Sequence, residues 1–226
     1  MTEQDTMNEI DGTLSARTRI KVCGITRLND AMAAAAVGVD GLGFIFVKQS
    51  PRYIEPEQVR EIVRQLPPFV DAVGVFLNEE ATVVDEIARY CGLTLVQLHG
   101  DETPAYCRSL PRQVLKVVRV GPDFDQDILR SYEEGVHAFL FDTFHKELAG
   151  GTGRTFDWDL IAALKPHRPV ILAGGLHAGN VAEAIRQVKP YAVDVNSGVE
   201  SAPGIKDFIR LQQFVDMIRK ADAEPA

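Results

Sequence analysis

Cysteine is scarce in this sequence: Cys23, Cys91 and Cys107 are the only three, unevenly placed and without a C-x-x-C pair. That scarcity argues against a disulfide framework or a structural zinc site, and it fits a reducing compartment, the cytoplasm. There is no H-E-x-x-H motif and no Cys/His cluster, so no catalytic metal is expected. No apolar run approaches the roughly 18 residues a membrane-spanning helix needs, and the opening stretch MTEQDTMNEIDGTLSAR has no apolar signal-peptide core. Positive charge is also short, with 24 basic against 32 acidic side chains and a net charge of −8. Such a balance disfavours nucleic acid and anionic membranes and leaves a small molecule as the expected partner. No Pro/Ser-rich linker divides the chain, and no G-x-G-x-x-G follows its first apolar run, where CGIT stands instead.

What the chain does have is a 46% hydrophobic share, enough for a full core. The apolar residues gather in eight short β-rich segments: RIKVCGI, VDGLGFIF, DAVGVFL, LTLVQL, VLKVVRV, HAFLFD, PVILAG and YAVDVN. Near-continuous apolarity is the pattern of strands buried on both faces, and each segment is followed by enough chain for a helix. Leu28, Ala31, Met32 and Ala35 predict one amphipathic face, with Thr26 as N-cap and Gly38 as stop. Val84, Ile87, Ala88 and Cys91 predict another, and Phe208, Leu211, Val215 and Ile218 a third near the end. Eight strand–helix units predict an α/β fold, a single (βα)8 TIM barrel with eight parallel strands. A doubly wound open sheet is the alternative. The barrel is expected over residues 18–220, with flexible extensions at 1–17 and 221–226.

In a barrel the strand C-terminal ends share one rim, where the loops build the site. In the barrel reading Cys23 ends the first strand and Asp142 the sixth, so both are expected toward that rim. Each also has a plain reading, Cys23 as a packed thiol and Asp142 as a turn or cap residue. Gly174-Gly175 and Asn196-Ser197-Gly198 follow the last two strands, where glycine and helix-start N–H groups favour an anion such as phosphate, or simply make turns. Arg52 reads as an anion ligand or a solvated cation. His99 reads as a pocket residue or a strand-end cap, and the GGTG stretch at residues 150–153 as a mobile cover or a linker.

Together these stretches resemble the phosphoribosylanthranilate isomerase family of tryptophan biosynthesis. KVCGITRLNDA, GLGFIFVKQSPRYI, VGVF, VQLHGDE, FLFDT, GGTGRTFDW, VILAGGL and YAVDVNSGVE with PGIKD carry the likeness, in order, from Lys21 to Asp207. The resemblance implies a cofactor-free Amadori rearrangement of a phosphosugar by a cytoplasmic monomer or homodimer. Through it Cys23 is expected as general base and Asp142 as general acid. Arg52 is expected to meet the anthranilate carboxylate, with His99 nearby and Asp194 orienting the substrate. Gly174, Gly175, Ser197 and Gly198 are expected to hold the phosphate. Asn196 departs from the family, which more often has serine before SGVE. The sister isomerase of histidine biosynthesis resembles a two-aspartate site, against which Cys23 counts. A noncatalytic phosphosugar-binding barrel is the reading from another class.

Overall fold

The computed structural model describes residues 17–120, 124–142 and 158–224. Eight apolar segments form strands β1 (Arg19–Val22), β2 (Gly41–Ile45), β3 (Asp71–Phe76), β4 (Leu95–Leu98), β5 (Gln113–Arg119), β6 (Ala138–Asp142), β7 (Val170–Ala173) and β8 (Ala192–Val195). They pair in parallel in chain order, and β8 pairs with β1 from Arg19↔Ala192 to Val22↔Val195, closing the barrel. Closure excludes the open doubly wound sheet. The helices are α1 (Leu28–Ala36), α2 (Pro56–Val63), α3 (Ala81–Cys91), α4 (Pro104–Ser109), α5 (Asp127–Tyr132), α6 (Trp158–Ala163), α7 (Val181–Val188) and α8 (Phe208–Ala223). Between β8 and α8 lie a 3-10 turn, Ser197–Val199, and a small antiparallel hairpin of β9 (Glu200–Ala202) and β10 (Ile205–Lys206).

Successive side chains of a strand point to opposite faces, which divides the core in two. Val73, Leu115, Val117, Leu140 and Ile171 fill the barrel interior. Their neighbours of opposite parity, among them Phe44, Leu98, Phe139, Phe141 and Leu172, pack outward under the helices. Each such fully buried side chain stabilises by about 1.5–3 kcal/mol relative to exposure. Local chemistry ends the helices: Gly92 closes α3 in the left-handed region with its N–H on the Ala88 carbonyl, and the Asp207 carboxylate accepts from Ile209 and Arg210 N–H at the start of α8.

Several expectations need correction. Thr26 does not cap α1; its hydroxyl donates to the Gly204 carbonyl at 2.6 Å, and Arg27 occupies the N-cap. The buried stripe of α1 is Asp30, Ala31 and Ala34, while Met32 is 40% exposed. The Asp30 carboxylate turns inward to accept the Lys206 N–H at 3.0 Å, and that orientation sends Met32 outward. In α8, Phe208 lies exposed at the first turn and Phe214 takes the core position. The helix also runs three residues past the expected boundary, because Ala221 is buried and Asp222 accepts both the N–H and the hydroxyl of Thr18. Residues 1–16, most of the expected N-terminal extension, and the GGTG stretch lie outside the described residues.

Candidate active site

Interior parity continues to the strand ends and decides what the rim presents. Cys23, Ile45, Val75, Gln97, Leu140, Asp142 and Asp194 point into the barrel at their C-terminal ends, and all line one cavity of about 400 Å³. His99 joins them just past β4, and Arg52 reaches in from the loop after β2. Gly174 and Gly175 follow β7, and Asn196, Ser197 and Gly198 follow β8. All nine residues singled out from the sequence therefore border the same space: Cys23, Asp142, Arg52, His99, Asp194, Gly174, Gly175, Ser197 and Gly198.

Cys23 stands directly after β1, its N–H bonded to the Val195 carbonyl at 2.8 Å. Its side chain is buried, and burial pushes the thiol above its ordinary value, while Lys21 and Lys206 pull it back and Asp194 adds to the rise. Asp142 ends β6, three strands round the barrel through β8 and β7. Its Oδ2 lies 3.8 Å from His99 Nε2, an electrostatic contact longer than a hydrogen bond. Burial holds the His99 imidazole below its usual pKa, more than Asp142 raises it.

The two loops after β7 and β8 are built on glycine for different reasons. Gly174 and Gly175 have φ of +86° and +64°, a region that side-chain-bearing residues rarely adopt. Gly198 is instead demanded by space: a Cβ there would meet the Leu176 carbonyl oxygen at 2.0 Å. That approach locks the loops together along one wall of the cavity.

Arg52 is not a loose cation. Its Nε and Nη2 donate to Glu200 at 2.7–3.1 Å, leaving Nη1 without a hydrogen bond among the described residues. Glu200 also accepts from Lys206 Nζ at 2.8 Å and Gly204 N–H at 3.1 Å, and Lys206 donates to Asn196 Oδ1 at 3.1 Å. Asn196, the departure noted in the sequence, thus turns its amide oxygen toward Lys206. Deeper in the barrel Lys21 Nζ meets Asp194 Oδ1 at 2.9 Å with both side chains almost fully buried. Asp194, expected to orient a ligand, is engaged by this lysine.

Lys21, Gln97, Glu200 and Lys206 were missed in the sequence. Lys21 and Gln97 had a usable signal: each is polar within an apolar strand, two residues before a rim residue, Cys23 and His99 respectively. Glu200 and Lys206 lie within YAVDVNSGVE and PGIKD, which carry the family likeness, but a hairpin near the end of the chain gives no hint that it reaches Arg52. No helix among the described residues is long and apolar enough to cross a membrane, and no group of three metal-ligating side chains occurs among them.

Comparison with known proteins agrees on one family. The family model for N-(5′-phosphoribosyl)anthranilate (PRA) isomerase matches residues 20–217. The chain is 46% identical over 206 residues to the N-(5′-phosphoribosyl)anthranilate isomerase of Pelobacter propionicus, covering 91% of this chain and 98% of that one. Its identity to the Geobacter sulfurreducens protein of the same name is 49% over 197 residues, 87% and 96% of the two chains. The crystal structure of phosphoribosyl anthranilate isomerase from Thermotoga maritima superposes with a TM-score of 0.83 at 43% identity, covering 90% of this chain and 99% of that one. A phosphoribosyl anthranilate isomerase in complex with reduced 1-(o-carboxyphenylamino)-1-deoxyribulose 5-phosphate gives 0.81 at 41% identity, with the same coverage.

Proposed function

Because the chain belongs to the N-(5′-phosphoribosyl)anthranilate isomerase family, we propose that its cavity converts N-(5′-phosphoribosyl)anthranilate into 1-(2-carboxyphenylamino)-1-deoxyribulose 5-phosphate, a step of tryptophan biosynthesis. The observation that carries the residue assignment is the convergence of a thiol from β1 and a carboxyl from β6 on one cavity whose wall is the paired glycine loops.

The reaction is a redox-neutral rearrangement, so proton transfer is all it demands and no cofactor is invoked. Asp142, as general acid, protonates the ring oxygen while the C1′–O bond breaks, and the anilino nitrogen lone pair forms the iminium. Cys23, as thiolate, then takes the proton from C2′. Those C–H electrons form the C1′–C2′ double bond of an enolamine, which tautomerises to the aminoketose. Arg52 meets the anthranilate carboxylate through the guanidinium edge that Glu200 leaves open, a charge-assisted contact. Gly174, Gly175, Ser197 and Gly198 cradle the phosphate. His99, beside Asp142, contacts the bound substrate, and Asp194 acts from beneath the ring. The three free cysteines suit the reducing cytoplasm in which we place the reaction.

The test is turnover of freshly prepared phosphoribosylanthranilate, followed by loss of anthranilate-ring fluorescence. Cys23→Ala and Asp142→Ala are each expected to lose turnover by a factor of roughly 10²–10⁴ while keeping the folded barrel and most phosphosugar affinity. Near-normal rates in either variant would refute that residue's role.

A further inference from the structure

A thiol that burial holds above its ordinary pKa is a poor resting base, and the barrel interior places a cation against it. Lys21 and Cys23 stand two residues apart at the end of β1 and point the same way. On the neighbouring strand, Gly43 supplies no side chain: a Cβ built there would lie 2.8 Å from Cys23 Sγ and 3.2 Å from Lys21 Nζ. Sulfur and ammonium therefore share the space that a side chain on β2 would fill. The ammonium is fixed from its other side by Asp194 of β8 at 2.9 Å. That bond uses one of three N–H donors of a side chain only 6% exposed, and a side-chain hydrogen bond to Cys23 itself draws the thiol down and the ammonium up.

Resting on the reading of Cys23 as the base, we propose that Lys21 is the charge partner that stabilises the Cys23 thiolate, and that Asp194 is the positioning residue that keeps the Lys21 ammonium beside the sulfur. A buried ion pair is weak evidence for stability, since apolar replacements of similar volume are often neutral or better. Placed beneath a thiol, the pair gains an electrostatic purpose. The charged groups around the sulfur are Lys21 from β1, Asp194 from β8, Lys206 from β10 and Arg52 from the loop after β2. Asp142 of β6 acts on Asp194, and β2 itself presents only Gly43 and Ile45. During turnover the thiolate gains the C2′ proton and becomes a thiol, while Lys21 stays protonated throughout.

The two members of the pair act on the sulfur with opposite sign, which gives a decisive experiment. The rate of Cys23 alkylation by iodoacetamide, mapped by peptide mass spectrometry across pH, reports its thiolate directly and needs no turnover. Lys21→Met is expected to move the inflection up by about one pH unit or more, and Asp194→Asn to move it down. Lys21→Arg, which retains the charge, is expected to recover part of the shift. The acid limb of the kcat/KM profile is expected to move with the thiol in every variant that turns over. Inflections that stay put, or that move the same way in Lys21→Met and Asp194→Asn, would overturn the proposal. If Lys21→Met does not fold, Lys21→Gln takes its place, and an unchanged or lowered inflection in it overturns the proposal. Normal turnover in Cys23→Ala would instead sink the base assignment while leaving the thiol titration to judge the pairing.

Discussion

Glu200→Gln removes one negative charge from between two cations, and its consequences follow from the contacts it would break. The carboxylate is 4% exposed and accepts five hydrogen bonds, three from the Arg52 side chain, one from Lys206 Nζ and one from the Gly204 backbone N–H. Glutamine keeps a single accepting oxygen, and its NH₂ faces a guanidinium or an ammonium that has nothing to accept with. Lys206, 2% exposed, and Arg52, 20% exposed, are left without a counter-charge. Breaking a buried pair from one side costs about 3–5 kcal/mol. For a domain of this size that corresponds to a fall in Tm of about 6–20 °C. Arg52 also loses its anchor, so KM for phosphoribosylanthranilate is expected to rise about tenfold for each 1.4 kcal/mol of lost binding. The pH dependence has a definite sign. Burial alone would raise the Glu200 pKa, but Arg52 and Lys206 outweigh it and hold the carboxyl below its usual range. Its contribution is therefore full above the unfolded value near ~4.3 and is lost as pH falls through the lower folded value. Urea melts of wild type and variant at neutral and strongly acid pH, with steady-state kinetics, provide the check. A stability loss under about 1 kcal/mol at neutral pH with KM unchanged would place the pair among inconsequential surface ion pairs and refute the reasoning.

Two further outcomes are expected. Gly198→Ala forces a Cβ onto the Leu176 carbonyl; overpacking of this kind costs about 1–3 kcal/mol, and phosphosugar affinity is expected to fall with it, while a melt and a binding isotherm matching wild type would show that the two loops need not touch. Cys91 and Cys107 are buried with thiols pushed up to about 11, so peptide mapping after iodoacetamide treatment of the native protein near pH 8 is expected to find both unmodified, and rapid labelling of either would contradict their packing.

The parts of this protein that were legible in the sequence are those that local patterning controls. Eight apolar runs separated by helix-length segments specify the barrel, because a strand buried on both faces must be apolar throughout and a parallel pair needs a crossover. Strand order then places Cys23, His99, Asp142, Gly174 and Ser197 on one rim, because parallel strands end on the same side. The helix faces were less legible: an apolar period cannot show that Asp30 turns inward to hold the Lys206 N–H, and so it mistook Met32 for core.

What only the tertiary structure decided is how charges separated by long stretches of chain neutralise one another. Glu200 and Lys206 sit in a hairpin far along the chain from Arg52, and Asp194 is just as remote from Lys21, yet barrel closure between β8 and β1 brings them within hydrogen-bond distance. A charge can be buried only where an opposite one meets it. The local sequence records that Lys21 and Asp194 interrupt apolar strands, but their partners exist only once the first and last strands are joined.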